Sequence, residues 1–519
     1  MVWQSFNILL VSYCTIHSYV QYNMARGNNI SLSNYFLLLC CALLTIPALC
    51  ANTEVDVLIL GGGITGITAA NYLQNNGQTN FLILEAQDYI GGRMKQVKVG
   101  NVTVGEGANW VHYVEEGDEN PILGFAKKIN LKGYPTNYSD INLRNSIHDK
   151  EDYKETFKVF KEIEERILEH NEKNPRNGDL PLSAVLAANG WIPDTPLKRT
   201  VDWYLDFEYA VKPALISTRH YTGVPKENDF VTDARGFTGI VDFLVQNFTS
   251  QIKMNKSVRQ IEYNSSGILV RTSKGEIYTA KYGLCTFSTG VLASNFVTFV
   301  PKLPQWKIEA ISRIPLAYYT NVYVKFPHVF WEENEFIYNA GSVDETFPLV
   351  LNLNKKGIHE GSNLLLFTAL EENSLRIEKQ TDNETKAEVM KTLEKMYPNI
   401  SIPEPTELYV SKFSQNSYIR GSYSNAVVGS ASADFENLLG RLGDLFFAGE
   451  AADEEYWGYL QGGYLTGLRQ AKVILNCLKG KECPEYKPKE TDICQTKSAA
   501  SSKKTSFAFI LLFLSVMFI

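Results

Sequence analysis

The 519-residue sequence predicts an α/β protein in which two domains are interleaved along the chain. Three observations predict it. An apolar run, a glycine turn, a helical stretch and a second apolar run follow one another within residues 55–93. Short apolar strands return after residue 233 and again at 445–448, and the segments between them are charged and aromatic instead. A chain this long with 45% hydrophobic residues exceeds one compact core, which agrees with two domains.

The first unit carries the most information. Val55, Val57, Leu58, Ile59 and Leu60 read as a buried parallel strand that stops at Gly61, Gly62 and Gly63, and Gly66 completes the pattern G-x-G-x-x-G. Gly61 permits the tight turn, Gly63 lets the backbone approach a pyrophosphate, and Gly66 lets a helix over 64–76 pack on its strand. The first amides of that helix aim their partial positive charge at the pyrophosphate. Phe81 to Leu84 form the second strand, and Glu85, 19 residues past Gly66, stands where such folds place a carboxylate for a ribose hydroxyl. With strand, helix, second strand and acid in register, the fingerprint reads as a dinucleotide site. Gly91, Gly92 and Arg93 then make a second glycine turn whose guanidinium can offset phosphate charge. The stretch GEGANWVH, ending at His112, passes from small to bulky residues and suits a chain running under a flat ring.

From 120 to 232 the pattern changes. A charged helix over 154–170 places Phe157, Phe160, Ile163 and Ile167 on one stripe, a packing face. The segment Trp203, Tyr204, Phe207 and Tyr209, with Asp206 and Glu208 between them, suits either a cavity for an aliphatic cation or an aromatic core helix. After a helix-opening turn at 236–244, strands are expected over 252–261, 267–272 and 277–286 as a meander on the nucleotide domain. A second lobe runs from 299 to 408, with strands over 318–326 and 364–370 and a helix over 385–396. The chain returns with the strand 445–448, ending in Gly449 and Glu450, and a glycine-rich helix from Gly462.

Composition and the chain ends bear on location. A net charge of −7 argues against nucleic acid. No Cys/His spacing suggests a metal. The apolar run over 35–44, preceded by Arg26 and followed by small residues up to Ala51, reads as a secretory signal. Seven Asn-x-Ser/Thr sequons follow it, at Asn101, Asn137, Asn247, Asn255, Asn264, Asn383 and Asn399, as in a secreted glycoprotein. Cys285, Cys477, Cys483 and Cys494 remain after such a signal, and Cys477 is close enough to Cys483 to bridge. The apolar tail 507–519, preceded by Lys503, Lys504 and a small-residue cluster at 498–502, resembles a lipid-anchor signal, with a membrane tail anchor as the alternative. The expectation is a secreted or extracellular monomer that meets the membrane only through this terminal anchor.

From 55 to 483 the chain resembles the flavin-containing amine oxidases, most closely the secreted polyamine oxidases of plants. The matching stretches are GGGITG, ILEAQDYIGGRM, GANWVH, NKSVRQI, KLPQW, FAGEA and GYLQGGYLTG. The resemblance implies a Rossmann-like FAD-binding domain (52–119, 233–298 and 409–483) interleaved with an α+β substrate-binding domain (120–232 and 299–408). Residues 1–51 would then be a removed signal region and 484–519 a tail. It implies FAD as cofactor, a polyamine as substrate and molecular oxygen as acceptor, with oxidation at a secondary amine giving an aldehyde, a shorter amine and hydrogen peroxide. Gly61, Gly63, Gly66, Glu85, Gly92 and Arg93 would hold the ADP half, with Val258 at the adenine and Glu450 on the ribitol side. Gly107, Ala108, Asn109, Trp110, Phe413, Gly449, Gly458 and Tyr459 complete the implied cofactor contacts. Tyr423 and Tyr459 match the two aromatic positions that sandwich the amine, Glu208 joins them in binding it, and Tyr319 joins His112 and Asn321 in the implied catalytic set.

Two positions depart from the plant pattern. His112 stands where the plant enzymes have a glutamate, and a histidine there can hydrogen-bond a substrate nitrogen. Asn321 stands where the family has a lysine that holds a water at flavin N5; asparagine still binds water but brings no positive charge. Slower flavin reoxidation with binding retained is the expectation. Two other functions follow from the same residues: a flavin-bearing polyamine-binding or sensing protein with weak oxidase activity, or an oxidase of another amine or amino acid.

Overall fold

The computed structural model describes residues 53–174, 178–341 and 345–490. The expected signal and apolar tail lie outside these residues. Strand β1 (Thr53–Leu60) has parallel neighbours on both sides, β2 (Phe81–Leu84) and the strand Ile277–Cys285. Val57, Leu58, Ile59 and Leu60 are fully buried, and a strand covered on both faces is apolar throughout rather than alternating. Helix α1 (Ile64–Asn75) makes the crossover to β2. Ile252–Lys253 extends the sheet beyond β2, while the antiparallel Gly267–Thr272, then Val258–Asn264 and Thr298–Val300, extend the other side. Leu445–Phe447 pairs in parallel with the end of Ile277–Cys285, so three distant segments build one eight-stranded sheet.

The stretch expected as one strand over 252–261 is two strands, because Asn255 takes a left-handed φ of 57° and breaks the extended run. The closing helix Leu460–Leu478 packs directly on α1. A β-carbon on Gly463 would stand 2.8 Å from Ile64 Cγ2, and one on Gly467 would stand 2.4 Å from the Thr65 carbonyl oxygen. Two glycines one turn apart thus bring the helix backbone against the start of α1. A disulfide from Cys477 to Cys483 secures the far end of that helix.

The second domain centres on a six-stranded sheet in the order Glu407–Val410, β3 (Tyr319–Lys325), Leu364–Leu370, Leu349–Asn352, Phe336–Asn339 and Ile141–Arg144. α2 (Pro196–Tyr209) and the helix Lys150–Lys173 cover one face. The helix Asp382–Met396 covers the other with Val389 and Leu393. Side chains alternate along a strand, so Val322 and Val324 of β3 join the second core while Tyr319, Asn321 and Tyr323 share the opposite side. The helix expected over 154–170 is longer, because Asp149 and Asp152 form a capping box ahead of it. Thr298–Val300 belongs to the large sheet and Glu407–Val410 to the six-stranded one, so the domain boundaries expected at 298/299 and 408/409 each fall inside a strand.

Substituting Gly467→Leu forces the closing helix away from α1 and is expected to cost about 1–3 kcal/mol or more by overpacking. The check is thermal denaturation of the flavin-loaded protein together with its flavin content, and an unchanged melting temperature would contradict the close helix contact.

Candidate active site

A cavity of about 290 Å³ lies between the two domains. Its first end is built by the glycine turn after β1. Gly63 precedes α1 with no side-chain cap, and a β-carbon there would meet nothing within 4 Å, so the first helical amides open onto free space. Glu85 lies beside them and accepts from the backbone amides of Gly62 at 2.7 Å and Gln87 at 2.8 Å. Burial raises its pKa, partly offset by these amides. Gly91 adopts a φ of 99° and donates its amide to the Gly62 carbonyl at 2.8 Å, which docks the second glycine turn on the first.

The middle of the cavity is tied by charge. Arg93 donates to Glu450 at 2.7 Å and to the Ser422 carbonyl at 2.8 Å. Glu450 also accepts from the Gly458 amide at 2.9 Å and from the Ser424 hydroxyl. Behind it, Asn109 holds the turn by accepting from the Gly105 amide at 3.1 Å and donating to Tyr323 at 3.0 Å. Asn321 donates its Nδ2 to the Glu106 carbonyl at 3.2 Å, and its buried Oδ1 finds no partner among the described residues.

The far end is aromatic. Trp110, Phe207, Tyr319 and Tyr423 follow one another with ring centroids 5.9, 5.8 and 6.0 Å apart. The His112 ring lies 5.1 Å from that of Tyr459. Tyr459 donates its hydroxyl to the Glu208 carboxylate, and Tyr423 donates to the Glu208 carbonyl at 2.9 Å. Glu208 makes no ion pair among the described residues, and burial pushes its carboxyl up to about 7 against the pull of the Tyr459 hydrogen bond. Burial holds His112 down at about 4, so it is neutral near neutral pH, and its Nδ1 meets Asn228 Oδ1 at 3.0 Å.

Of the site residues implied by the resemblance, all but Gly66 line this cavity. Gly66 acts beneath it: a β-carbon there would stand 2.1 Å from the Gly61 carbonyl, so its absence lets α1 seat on β1. In the aromatic stretch of α2, Phe207, Glu208 and Tyr209 reach the cavity; Asp206 turns away and pairs with Arg199. Trp203 is core, and Tyr204 packs edge-on to Phe157 at 5.3 Å. Sequence reasoning missed Ser422 and Ser424, which flank Tyr423 and announce themselves by no motif. It also missed Asn228, which strand pairing alone brings to His112.

The sequence matches the family described as flavin containing amine oxidoreductase over residues 64–199 and 209–475. The chain belongs to that family. As an amine oxidoreductase it is similar to polyamine oxidase 1 of Zea mays, with 33% identity over 480 residues covering 86% of this chain and 95% of that one. It is also similar to polyamine oxidase 6 of Oryza sativa subsp. japonica, with 31% identity covering 84% of this chain and 94% of that one. Putrescine oxidase bound to putrescine shares the fold, with a TM-score of 0.65 at 16% identity, covering 82% of this chain and 99% of that one. The amine oxidoreductase is therefore an FAD-dependent oxidoreductase. The residues present fit that cofactor: uncapped amides at α1 for the pyrophosphate, Glu85 for a ribose, and the Gly105–Trp110 turn beside Asn321 for the ring system. Among the described residues no His/Cys/Asp/Glu group suits a metal ion.

Removing the Glu85 carboxylate (Glu85→Ala) leaves the Gly62 and Gln87 amides unpaired and is expected to weaken FAD retention at least about tenfold. The ratio of flavin to protein absorbance after dialysis reads this, and undiminished retention would remove Glu85 from the site.

Proposed function

We propose that the protein oxidises polyamines such as spermine, spermidine or their acetylated forms at a secondary amine, giving an aldehyde, a shorter amine and hydrogen peroxide. The observation that carries this reading is Glu208, an acid without a cationic partner among the described residues, in an aromatic cavity. An entering ammonium supplies the missing counter-charge and stabilises the ionised carboxylate. Tyr423 and Tyr459 offer π faces that hold an amine without hydrogen bonds opposing loss of hydride from the adjacent carbon. Neutral His112 adds an acceptor without charge repulsion. The names of the relatives, polyamine oxidases, support the same substrate class. Bound FAD would supply the two-electron acceptor for a hydride from the carbon beside the nitrogen, with molecular oxygen as the final acceptor reduced to hydrogen peroxide, and water would hydrolyse the imine left on the substrate. An amino acid would need a free cation for its carboxylate, whereas the cationic side chains at the cavity, Arg93 and Lys256, are paired with Glu450 and Glu276.

Asn321 favours a second reading, a polyamine-binding flavoprotein with weak oxidase activity, because the cavity wall there is neutral. One experiment separates the two. Spermine, spermidine and their acetyl forms are mixed with the enzyme without oxygen, and the flavin spectrum is followed before and after air is admitted. Bleaching with prompt recovery and peroxide supports the oxidase, bleaching with slow recovery the second reading, and no bleaching by any of them sinks both. Because Glu208 is neutral below about 7, kcat/KM is expected to fall as pH drops through about 7, by about tenfold per unit. Glu208→Gln should abolish that limb and raise KM at least about tenfold.

The same proposal places the enzyme in the secretory route, tethered at the cell surface by a lipid. The asparagines of all seven sequons are exposed, and the Cys477–Cys483 bridge suits an oxidising compartment. Expression in a secreting eukaryotic cell should give protein that loses mass on treatment with peptide N-glycosidase and leaves membranes on treatment with a phosphatidylinositol-specific phospholipase. Unglycosylated cytosolic protein would overturn the placement.

A further inference from the structure

His112 and Asn228 face each other directly across an antiparallel strand pair, Trp110–His112 against Asn228–Val231. Side chains at paired positions emerge on the same face, which is why the two meet although they lie 116 positions apart in sequence. Asn228 is 2% exposed, and its surroundings favour one orientation of its amide. Its Nδ2 lies 2.7 Å from the Tyr138 hydroxyl and 3.5 Å from the Pro225 carbonyl, and a carbonyl only accepts. Oδ1 therefore faces His112, and a carbonyl oxygen at 3.0 Å demands a proton on Nδ1. With Nδ1 protonated in a neutral ring, Nε2 carries a lone pair, and it has no partner among the described residues on a ring that lines the cavity. Backbone bonds complete the clamp: Asn120 and Gln461 donate to the His112 carbonyl at 2.7 and 3.0 Å.

We propose that Asn228 is a positioning residue that locks His112 in the tautomer presenting Nε2 to the cavity as a hydrogen-bond acceptor for the substrate amine. The choice of an amide at 228 matters as much as its place. A carboxylate there would stabilise an imidazolium, turn Nε2 into a donor and set a positive charge against a cationic amine. The other ionisable groups around the ring are Glu208 on α2 and the phenols of Tyr113, Tyr138 and Tyr459, whose pKa values burial raises. None of the phenols is a charge near neutral pH, and the bond to Asn228 is the ring's one polar contact among the described residues. The benefit to catalysis rests on the amine-oxidation reading; the tautomer itself does not.

The test uses flavin-loaded enzyme labelled with ¹⁵N-histidine, the His112 signals being assigned by their loss in His112→Gln. Wild type is expected to show a protonated Nδ1 and an unprotonated Nε2, unchanged from pH 6 to 8. Asn228→Asp is expected to protonate both nitrogens near neutral pH and to raise KM for the amine at least tenfold at pH 7, with relief as pH rises and a smaller change in kcat. Asn228→Leu, similar in size but without an acceptor, should mix the two tautomers. A proton on Nε2 in wild type overturns the proposal, and so does an unchanged ring in folded, flavin-loaded Asn228→Leu. A wild-type ring as expected, with no amine substrate found, would count against the amine reading alone.

Discussion

The cavity depends on the ion pair between Arg93 and Glu450, which joins the second glycine turn to the far end of the chain. Its value is positional. Arg93 also holds the Ser422 carbonyl and Glu450 the Gly458 amide, and these groups immediately precede Tyr423 and Tyr459. One ion pair thus fixes two tyrosines of the cavity that lie 36 residues apart in sequence. Removing one member would leave the other charged in a site where the Glu450 carboxylate is 9% exposed, and such uncompensated charge is costly, about 3–5 kcal/mol. The same substitution would release both aromatic faces, so stability and substrate placement are coupled through one contact.

Around that anchor the charges divide into two classes. Arg93 with Glu450, Lys95 with Glu106 and Lys256 with Glu276 are all internally neutralised. Glu208 is not, and among the described residues its carboxylate accepts only from the phenol of Tyr459. A hydrogen bond satisfies one lone pair but does not supply charge, which is why burial still raises the carboxyl to about 7. The selectivity of the far end follows from this imbalance together with a neutral His112: the wall can gain a positive charge from a ligand but has none to offer an anion.

Sequence carried the parts of this design that depend on local rules. The run from Val55 to Leu60, the glycine turn, α1 and β2 follow from periodicity and steric need, and the strand Gly267–Thr272 is bounded as its apolar pattern suggests. Tertiary choices were less visible. Asp206 and Glu208 are two acids of one helix, yet one pairs with Arg199 and the other faces the cavity, because two residues turn a helix by more than half a circle. Asn255 breaks a stretch that reads as continuous strand. Asn228 sits in a four-residue strand whose pairing with Trp110–His112 arises only in the assembled fold, so its bond to His112 had no sequence signal.

Asn321 shows how far a single residue in an otherwise regular strand constrains chemistry. The alternation of β3 delivers the residue to the cavity, and its backbone is fixed by Ser411, whose hydroxyl accepts from the Asn321 amide at 2.8 Å and whose amide donates to the Asn321 carbonyl at 2.9 Å. The Glu106 carbonyl takes the Nδ2 end. The remaining oxygen is 2% exposed as part of its residue and unpaired, a state that costs about 1–3 kcal/mol until something donates to it. Water or an N–H of a bound group meets that need; a carbonyl or a carboxylate does not. A lysine at the same place would bring donors and a charge where this chain keeps an acceptor, and it would meet the Glu106 carbonyl first. The position therefore selects hydrogen-bond donors, and any acceleration of oxygen chemistry must come from groups other than a cation at 321.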